Sequence, residues 1–257
     1  MQASLCMQEV SRETLRLQEF EFPEYPSKAV VPGLNRDDVH LWFAHVPRHA
    51  PQIAEYKALL SSDELDRMVR FRFERDQESF AFVHGILRNL LGSYLDISPM
   101  ELRFDYSEHG KPSISVPAET DIEFNLSHTA GTVLVGICLN REIGVDIEKV
   151  RNDFEVMGIA AKFFTDSEQE SLLRLPEPER AQAFFQCWTR KEAVLKARGD
   201  GLSFPLDRVE VSVTPDEAIV ELQIGLEPVE TQRWRVLPLN VPVGYAAAVA
   251  LSQRYQA

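Results

Sequence analysis

The sequence predicts an α+β fold made of two similar units, each a small sheet packed with helices. Three observations carry that expectation. Segments of period-2 hydrophobicity, the mark of half-buried strands, are interleaved with segments of helical period. Strand, helices and then several strands occur in that order in the first half and again in the second. Scattered matches recur 104 residues apart: Asp63-Glu64 with Ser167-Glu168, Phe80 with Phe184, Leu91 with Leu195. The order of elements argues for duplication more strongly than the letters do.

Residues 1–36 contain Pro23, Pro26, Pro32 and Gly33 and predict a lead-in that packs loosely or wraps the body. Asp38 to Val46 alternates as a strand, with Val39, Leu41 and Phe43 on one face. Pro51 to Tyr94 reads as mostly helical. Ser62 is the expected N-cap, and Leu65, Met68 and Val69 open an apolar stripe. Phe80, Val83, Leu87 and Leu91 continue at helical spacing. Strands are expected at Leu102 to Tyr106, Ile122 to Leu126 and Val133 to Leu139. The short link Asn140-Arg141-Glu142 makes either a hairpin or a crossing between units. The expected division is therefore a lead-in at 1–36, a first subdomain at 37–141 and a second at 142–257. The second unit opens with a strand, Ile143 to Glu148. Helices follow at Met157 to Phe164, Ser167 to Leu175 and Arg180 to Ala197. Strands are then expected at Val209 to Val213, Ile219 to Ile224, Trp234 to Leu237 and Tyr245 to Leu251.

Composition bounds the function. The chain has 257 residues, 44% hydrophobic and 26% charged, ordinary values for a soluble globular protein with a substantial core. A formal charge of −13 argues against nucleic-acid binding, which needs positive charge to displace phosphate counterions. No run of about 18 apolar residues suggests a membrane span. Met1 to Gln18 lacks the uninterrupted apolar segment of a signal peptide. Cys6, Cys138 and Cys187 are odd in number and without paired spacing, so free thiols in a reducing compartment, the cytoplasm, are expected.

The chemistry concentrates in two short words. In Gly144-Val145-Asp146-Ile147-Glu148, strand alternation sends Val145 and Ile147 to a core and leaves Asp146 and Glu148 on the other face, about 7 Å apart. In Trp188-Thr189-Arg190-Lys191-Glu192-Ala193-Val194-Leu195-Lys196, helical spacing aligns Trp188, Glu192 and Lys196. If Glu192 leans over the strand, three hard oxygen donors converge beside a lysine. That set suits Mg²⁺ shared with a substrate's phosphates, with Lys196 neutralising phosphate charge. The competing reading is the charged outer face of an edge strand. The run Arg67, Arg70, Arg72, Arg75 has two readings. It is either a solvated helix face paired with Asp66, Glu74, Asp76 and Glu78, or a positive patch for a phosphate or partner. His40, His45, His49, His84 and His109 lack zinc-site spacing. Phosphate-loop, dinucleotide-binding and nucleophile-elbow motifs are missing too.

These words resemble the signature of the 4′-phosphopantetheinyl transferases, specifically the Sfp-type group. Phe124-Asn125-Leu126-Ser127-His128-Thr129 is similar to the family's Asn-hydrophobic-Ser-His segment. Gly110-Lys111-Pro112 resembles its Gly-Lys-Pro turn, and Gly199-Asp200-Gly201-Leu202 its Gly-x-Gly-Leu. Asp63 to Arg88 resembles its helical entry region, and Val243-Gly244-Tyr245 its closing strand. The ordered matches run from about Asp38 to Ala250.

The resemblance implies two subdomains related by a pseudo-twofold, and a monomer. It implies transfer of the 4′-phosphopantetheine arm of coenzyme A to a serine of an acyl or peptidyl carrier protein. Asp146, Glu148 and Glu192 would hold Mg²⁺, with Mn²⁺ able to replace it. Asp146, Glu192 and Lys196 would be catalytic, Glu192 as ligand, base or both. Ser127 and His128 would donate hydrogen bonds to a coenzyme A phosphate, and Lys111 would lie by the adenosine end. Arg67, Arg70, Arg88 and Lys191 are further expected contacts. Ser79 and His84 stand where many relatives carry basic residues, which shifts 3′-phosphate recognition toward Arg67, Arg70, Lys111 and His128. Two other readings remain: a non-catalytic coenzyme A- or carrier-binding module, and a Mg²⁺-dependent nucleotide pyrophosphatase.

Overall fold

The computed structural model describes residues 15–22, 29–45, 51–199, 201, 204–213, 218–223 and 231–253. The first half runs β1 (Arg16–Glu21), β2 (Asp38–His45), α1 (Pro51–Lys57), α2 (Ser62–Met68), α3 (Glu74–Leu95), β3 (Arg103–Tyr106), β4 (Pro112–Val116), β5 (Ile122–Thr129) and β6 (Thr132–Leu139). The second runs β7 (Ile143–Lys149), α4 (Val156–Phe163), α5 (Asp166–Arg174), α6 (Glu177–Arg198), a 3-10 turn (Leu206–Arg208), β8 (Ala218–Gln223), β9 (Thr231–Pro238) and β10 (Tyr245–Ser252). Strands of the first half form one sheet in the order β1-β2-β6-β5, and those of the second form another in the order β7-β10-β9-β8. With β1 set aside, the shared pattern is first strand, last strand, penultimate strand: β2-β6-β5 and β7-β10-β9. The 140–142 link is thus a crossing between sheets rather than a hairpin.

Three cores hold the layers together. On the outer face of the first sheet, Phe82, Ile86 and Leu90 of α3 pack against Trp42, Val133 and Val135. On the outer face of the second, Phe184 and Val194 of α6 pack against Trp234, Val236 and Ala248. The inner faces close on each other, with Val39, Leu41 and Phe43 meeting Val145, Ile147, Val249 and Leu251. The order is helix, sheet, sheet, helix. Long helices shield the outer faces, and alternation along each strand supplies both cores at once.

Several local expectations need correction. Part of the lead-in is a strand: β1 lies parallel to β2, and Phe20 stacks on Trp42 at 4.7 Å. β4, which is not among the expected strands, pairs with β3 in a separate ribbon; it begins on Pro112 and Pro117 follows its end, which weakens the strand signal. Val209 to Val213 does not pair as a strand. Its Val209, Val211 and Val213 alternate into the core, and the Val211 amide donates to the Glu168 carboxylate (2.8 Å) instead of to a neighbouring strand. Val69 is 61% exposed, so the apolar stripe of α2 stops at Met68. In the Gly-x-Gly-Leu segment, Asp200 and Leu202 lie outside the described residues.

One device recurs in both units. α2 and α5 each begin with a capping box, Ser61 with Glu64 and Thr165 with Glu168. Ser61, not Ser62, is the cap. Each box glutamate also forms a buried ion pair with the long helix that follows. Glu64 lies 2.5 Å from Arg88, and Glu168 lies 2.6 Å from Lys191. Arg88 donates further to the Pro99 and Leu102 carbonyls, and Lys191 to the Leu206 and Val209 carbonyls. The two cations fall at the same distance from the starts of helices of equal length, 22 residues each. Burial alone would push Glu64 up, but hydrogen bonds from His84, the Ser61 amide and Arg88 hold it at about 2. Arg88 and Lys191 are 1% and 0% exposed. They are expected as coenzyme A contacts; in this structure each charge is enclosed and matched by protein oxygens.

Removing one partner leaves a buried charge uncompensated. Arg88→Met and Lys191→Met should each destabilise the protein by about 3–5 kcal/mol in urea unfolding. Pairing Arg88→Met with Glu64→Leu should recover most of the loss, because no lone charge then remains buried.

Candidate active site

At the seam between the sheets, Leu126, Ser127, His128, Asp146, Glu148, Trp188, Glu192 and Lys196 line an open cleft of about 400 Å³. β7 supplies Asp146 and Glu148, β5 supplies Ser127 and His128, and α6 supplies Trp188, Glu192 and Lys196. The cleft exists because α6 crosses β7 at very close range. Gly144 makes that approach feasible: a Cβ there would land on the Ala193 carbonyl oxygen and the Ala197 amide. Four-residue spacing then turns Trp188, Glu192 and Lys196 toward the strand.

Val145 and Ile147 enter the inter-sheet core as expected, while Asp146 and Glu148 face α6. Asp146 is only 3% exposed. Its Oδ1 accepts from Lys196 Nζ (2.6 Å) and from Ser127 Oγ (2.8 Å). Among the described residues its buried Oδ2 has no hydrogen-bond partner. Thr129 donates to Glu148 Oε2 at 3.1 Å. Burial raises the Glu148 carboxyl above its ordinary range, and the charge of Asp146 adds to it. Burial is also the main cause for Glu192, which the Asp146 charge lifts further, to about 7; Lys196 opposes this. His128 stands exposed at the mouth. Partial desolvation, with Lys196 and His84 nearby, holds its imidazole below the ordinary histidine value.

The remaining expected residues divide. Arg67 lies over the Tyr106 ring at 5.0 Å and the Phe80 ring at 5.9 Å. Phe80 also stacks on His84 at 4.0 Å, and none of these residues is among those lining the cleft. Arg70 is exposed on the loop after α2. Arg72 and Arg75 cover Phe73, and Arg75 also pairs with Asp76, so aromatic faces hold more of this run than the expected carboxylates do. Lys111 is not in the cleft lining; its Nζ donates to the Ala197 carbonyl at 2.5 Å, at the end of α6. Ser127 is in the cleft, but its hydroxyl serves Asp146, Lys196 and the Ile147 amide. A hydroxyl has one proton and two lone pairs, and all three are taken in this structure. Sequence reasoning missed Asn125 and Thr129, which share the Ser127 face of β5 by strand alternation.

Among the described residues, no three acidic, histidine or cysteine side chains are set to hold a metal ion as placed. The donor chemistry nonetheless suits a hard cation. Three carboxylates share Lys196, two have raised proton affinity, and one buried carboxylate oxygen is bare.

Two family models cover most of the chain. The 4′-phosphopantetheinyl transferase N-terminal model matches residues 48–138, and the 4′-phosphopantetheinyl transferase superfamily model matches 142–250. The chain is 38% identical over 217 residues to the 4′-phosphopantetheinyl transferase HetI of Nostoc sp. strain PCC 7120, covering 84% of this chain and 88% of that protein. It is 29% identical over 195 residues to the 4′-phosphopantetheinyl transferase Sfp of Bacillus subtilis, covering 76% and 83%. The fold, the cleft and these matches agree: the chain belongs to the 4′-phosphopantetheinyl transferase superfamily. Enzymes of this family transfer phosphopantetheine from coenzyme A to a serine of a carrier protein.

The raised Glu192 carboxyl has a stability consequence. Its folded value, about 7, lies above the ordinary 4.5. The stability it contributes is therefore full below about pH 4.5 and lost as pH rises through about 7. In a chelating buffer, Glu192→Gln should raise Tm at pH 8 by a few °C and leave it nearly unchanged at pH 4.5, measured by calorimetry. An equal shift at both pH values would contradict the origin assigned to it.

Proposed function

We propose that transfer takes place in this cleft, with Asp146, Glu148, Glu192 and Lys196 as its chemical centre. The observation that carries the reading is that Asp146, Glu148, Glu192 and Lys196 line one cleft, with Lys196 on Asp146 Oδ1 and Asp146 Oδ2 buried without a hydrogen-bond partner among the described residues. Asp146, Glu148 and Glu192 would hold Mg²⁺, and Mn²⁺ could replace it because both accept hard oxygen ligands. Such an ion would supply charge neutralisation on the pyrophosphate and hold it in line.

The chain's own residues do the rest. The carrier serine attacks the β-phosphorus of coenzyme A, and the bond to the adenosine bisphosphate breaks. The serine proton needs an acceptor whose affinity suits neutral pH. Glu192, at about 7 before any cation binds, has it. Lys196 places an ammonium where charge grows on the departing phosphate and can protonate it. His128, at the mouth, is placed to donate to the pyrophosphate. Arg67 and Arg70 would be the cations for the 3′-phosphate, with Lys111 toward the adenosine end. The enzyme is read as a cytoplasmic monomer with subdomains 37–141 and 142–257 after the 1–36 lead-in. Support comes from the two sheets carried on one chain and from Cys138 and Cys187, both buried and in no disulfide among the described residues. Among the described residues, no helix is long and apolar enough to cross a membrane.

Incubation with coenzyme A, Mg²⁺ and a panel of apo carriers should add one phosphopantetheine mass to the acceptor. Bisphosphate release without any carrier would favour a pyrophosphatase. Asp146→Ala and Glu192→Gln should each lower kcat at least about 100-fold with an unchanged circular dichroism spectrum. Full activity in either would refute the assignment. Carriers of this kind are typically acidic, and the chain itself carries −13. Long-range steering is therefore weak, and raising salt from 50 to 300 mM should slow transfer by no more than about threefold.

A further inference from the structure

Between α2 and α3 the chain runs Arg67-Met68-Val69-Arg70-Phe71-Arg72-Phe73, with three arginines and no acid, in a protein whose net charge is −13. Met68 enters a core, whereas Val69, Phe71 and Phe73 are exposed. Single exposed apolar side chains are ordinary, but three within five residues make a patch. Its parts are braced. Phe71 packs on Phe80 with ring centroids 5.6 Å apart, and the guanidinium groups of Arg72 and Arg75 lie over the Phe73 ring at 5.4 and 5.2 Å. Arg75 also meets Asp76 at 3.5 Å, whereas Arg72 has no ion-pair partner among the described residues. Aromatic rings beside arginines are the composition of an interface centre, and bracing lowers the entropy lost when a partner closes on them.

We propose that Phe71, Arg72, Phe73 and Arg75 form a docking surface for the carrier protein, taking a face of it that presents carboxylates beside apolar side chains. This rests on the reading that the cleft transfers phosphopantetheine to a carrier. None of the four is among the residues read as coenzyme A contacts. Charge selects the occupant. A chain of −13 repels an acidic acceptor at long range, so it needs a place where the sign reverses at contact. Carboxylates of the acceptor would meet Arg72 and Arg75, and its apolar side chains would cover Phe71 and Phe73. The place also suits delivery to the cleft. Phe80, on which Phe71 packs, stacks on His84 at 4.0 Å, and the His84 charge acts on His128, a lining residue. A domain of about 100 residues has a radius of gyration of about 13 Å. A carrier with its serine in the cleft therefore covers surface well outside the lining. Salt screens the overall repulsion and the local attraction together, which keeps the net salt effect small.

The test uses the full chain with Arg72→Glu, Phe73→Ala and the pair Arg72→Glu with Arg75→Glu. KM and kcat for an acidic apo carrier are measured at saturating coenzyme A. Binding of the same carrier with its acceptor serine replaced by alanine is measured by calorimetry. Each single variant should raise KM and weaken carrier binding by about 10-fold, and the pair by more. The kcat at saturating carrier and the affinity for coenzyme A should stay within about twofold. Arg72→Lys, which keeps the charge, should lose less than Arg72→Glu. Both side chains are exposed, so folding should survive. Circular dichroism checks it, and either single variant suffices if the other fails. A tenfold loss of coenzyme A affinity would make the patch part of the nucleotide site and overturn the proposal. An unmoved KM would overturn it too, whether the patch then proves to hold an anionic vesicle or a second copy of the chain. If the wild-type chain modifies no carrier, the functional reading fails. The inert carrier then still judges the surface, since absent binding, or equal binding by wild type and variants, would overturn it.

Discussion

One strand edge with no hydrogen-bonded strand partner among the described residues governs this molecule. β7 must bury its inner face against the first sheet, accept α6 on its outer face and still satisfy amide groups on a side where no strand pairs with it. Side chains of β5 meet that demand. Because the two sheets come from different halves of the chain, the same contacts that join them also orient the carboxylates. Site geometry and the junction of the halves are one physical problem, and Gly144 completes the solution by letting α6 settle onto β7.

The duplication clarifies why the carboxylate-lined cleft lies in the second unit. Trp42 and Ala44 precede Asp146 and Glu148 by 104 residues, and both pack into the core beneath α3. On α3, the places corresponding to Glu192 and Lys196 by helix start are held by Asn89 and Ser93. Trp42 donates its indole N–H to Tyr94 (2.9 Å), and Asn89 accepts from the Ala29 amide (3.0 Å). The first unit fills with an aromatic ring the space that the second leaves open and lines with charge. Both keep the buried pair between a capping-box glutamate and the long helix. That pair belongs to the architecture, and the carboxylate cluster belongs to one half alone.

Much of this was readable in advance, for identifiable reasons. Alternation in Gly144 to Glu148 and four-residue spacing from Trp188 to Lys196 are local properties, and local geometry converts them directly into faces. The long helices, most strands and the repeated order of elements were accessible in the same way. Less accessible was β1, whose lead-in is dominated by prolines, and β4, enclosed between two more. The segment after Leu206 keeps the alternation of a strand but gives an amide to Glu168, a partner that no sequence pattern announces.

What the linear chain determined by itself was the set of chemical groups and the face on which each would lie: three carboxylates, a lysine and the period of the elements that present them. What only the tertiary structure decided was which polar groups are available. Arg88 and Lys191 look like ligand-binding cations on paper. Each is enclosed because a glutamate 24 or 23 residues earlier folds back beneath it and removes any gain in charge stabilisation from a ligand. Ser127 looks like a phosphate donor, yet contacts from β7 and α6 fill its hydrogen-bonding capacity. Residue type and spacing are written locally, whereas burial and hydrogen-bond satisfaction depend on groups that meet only when distant segments pack.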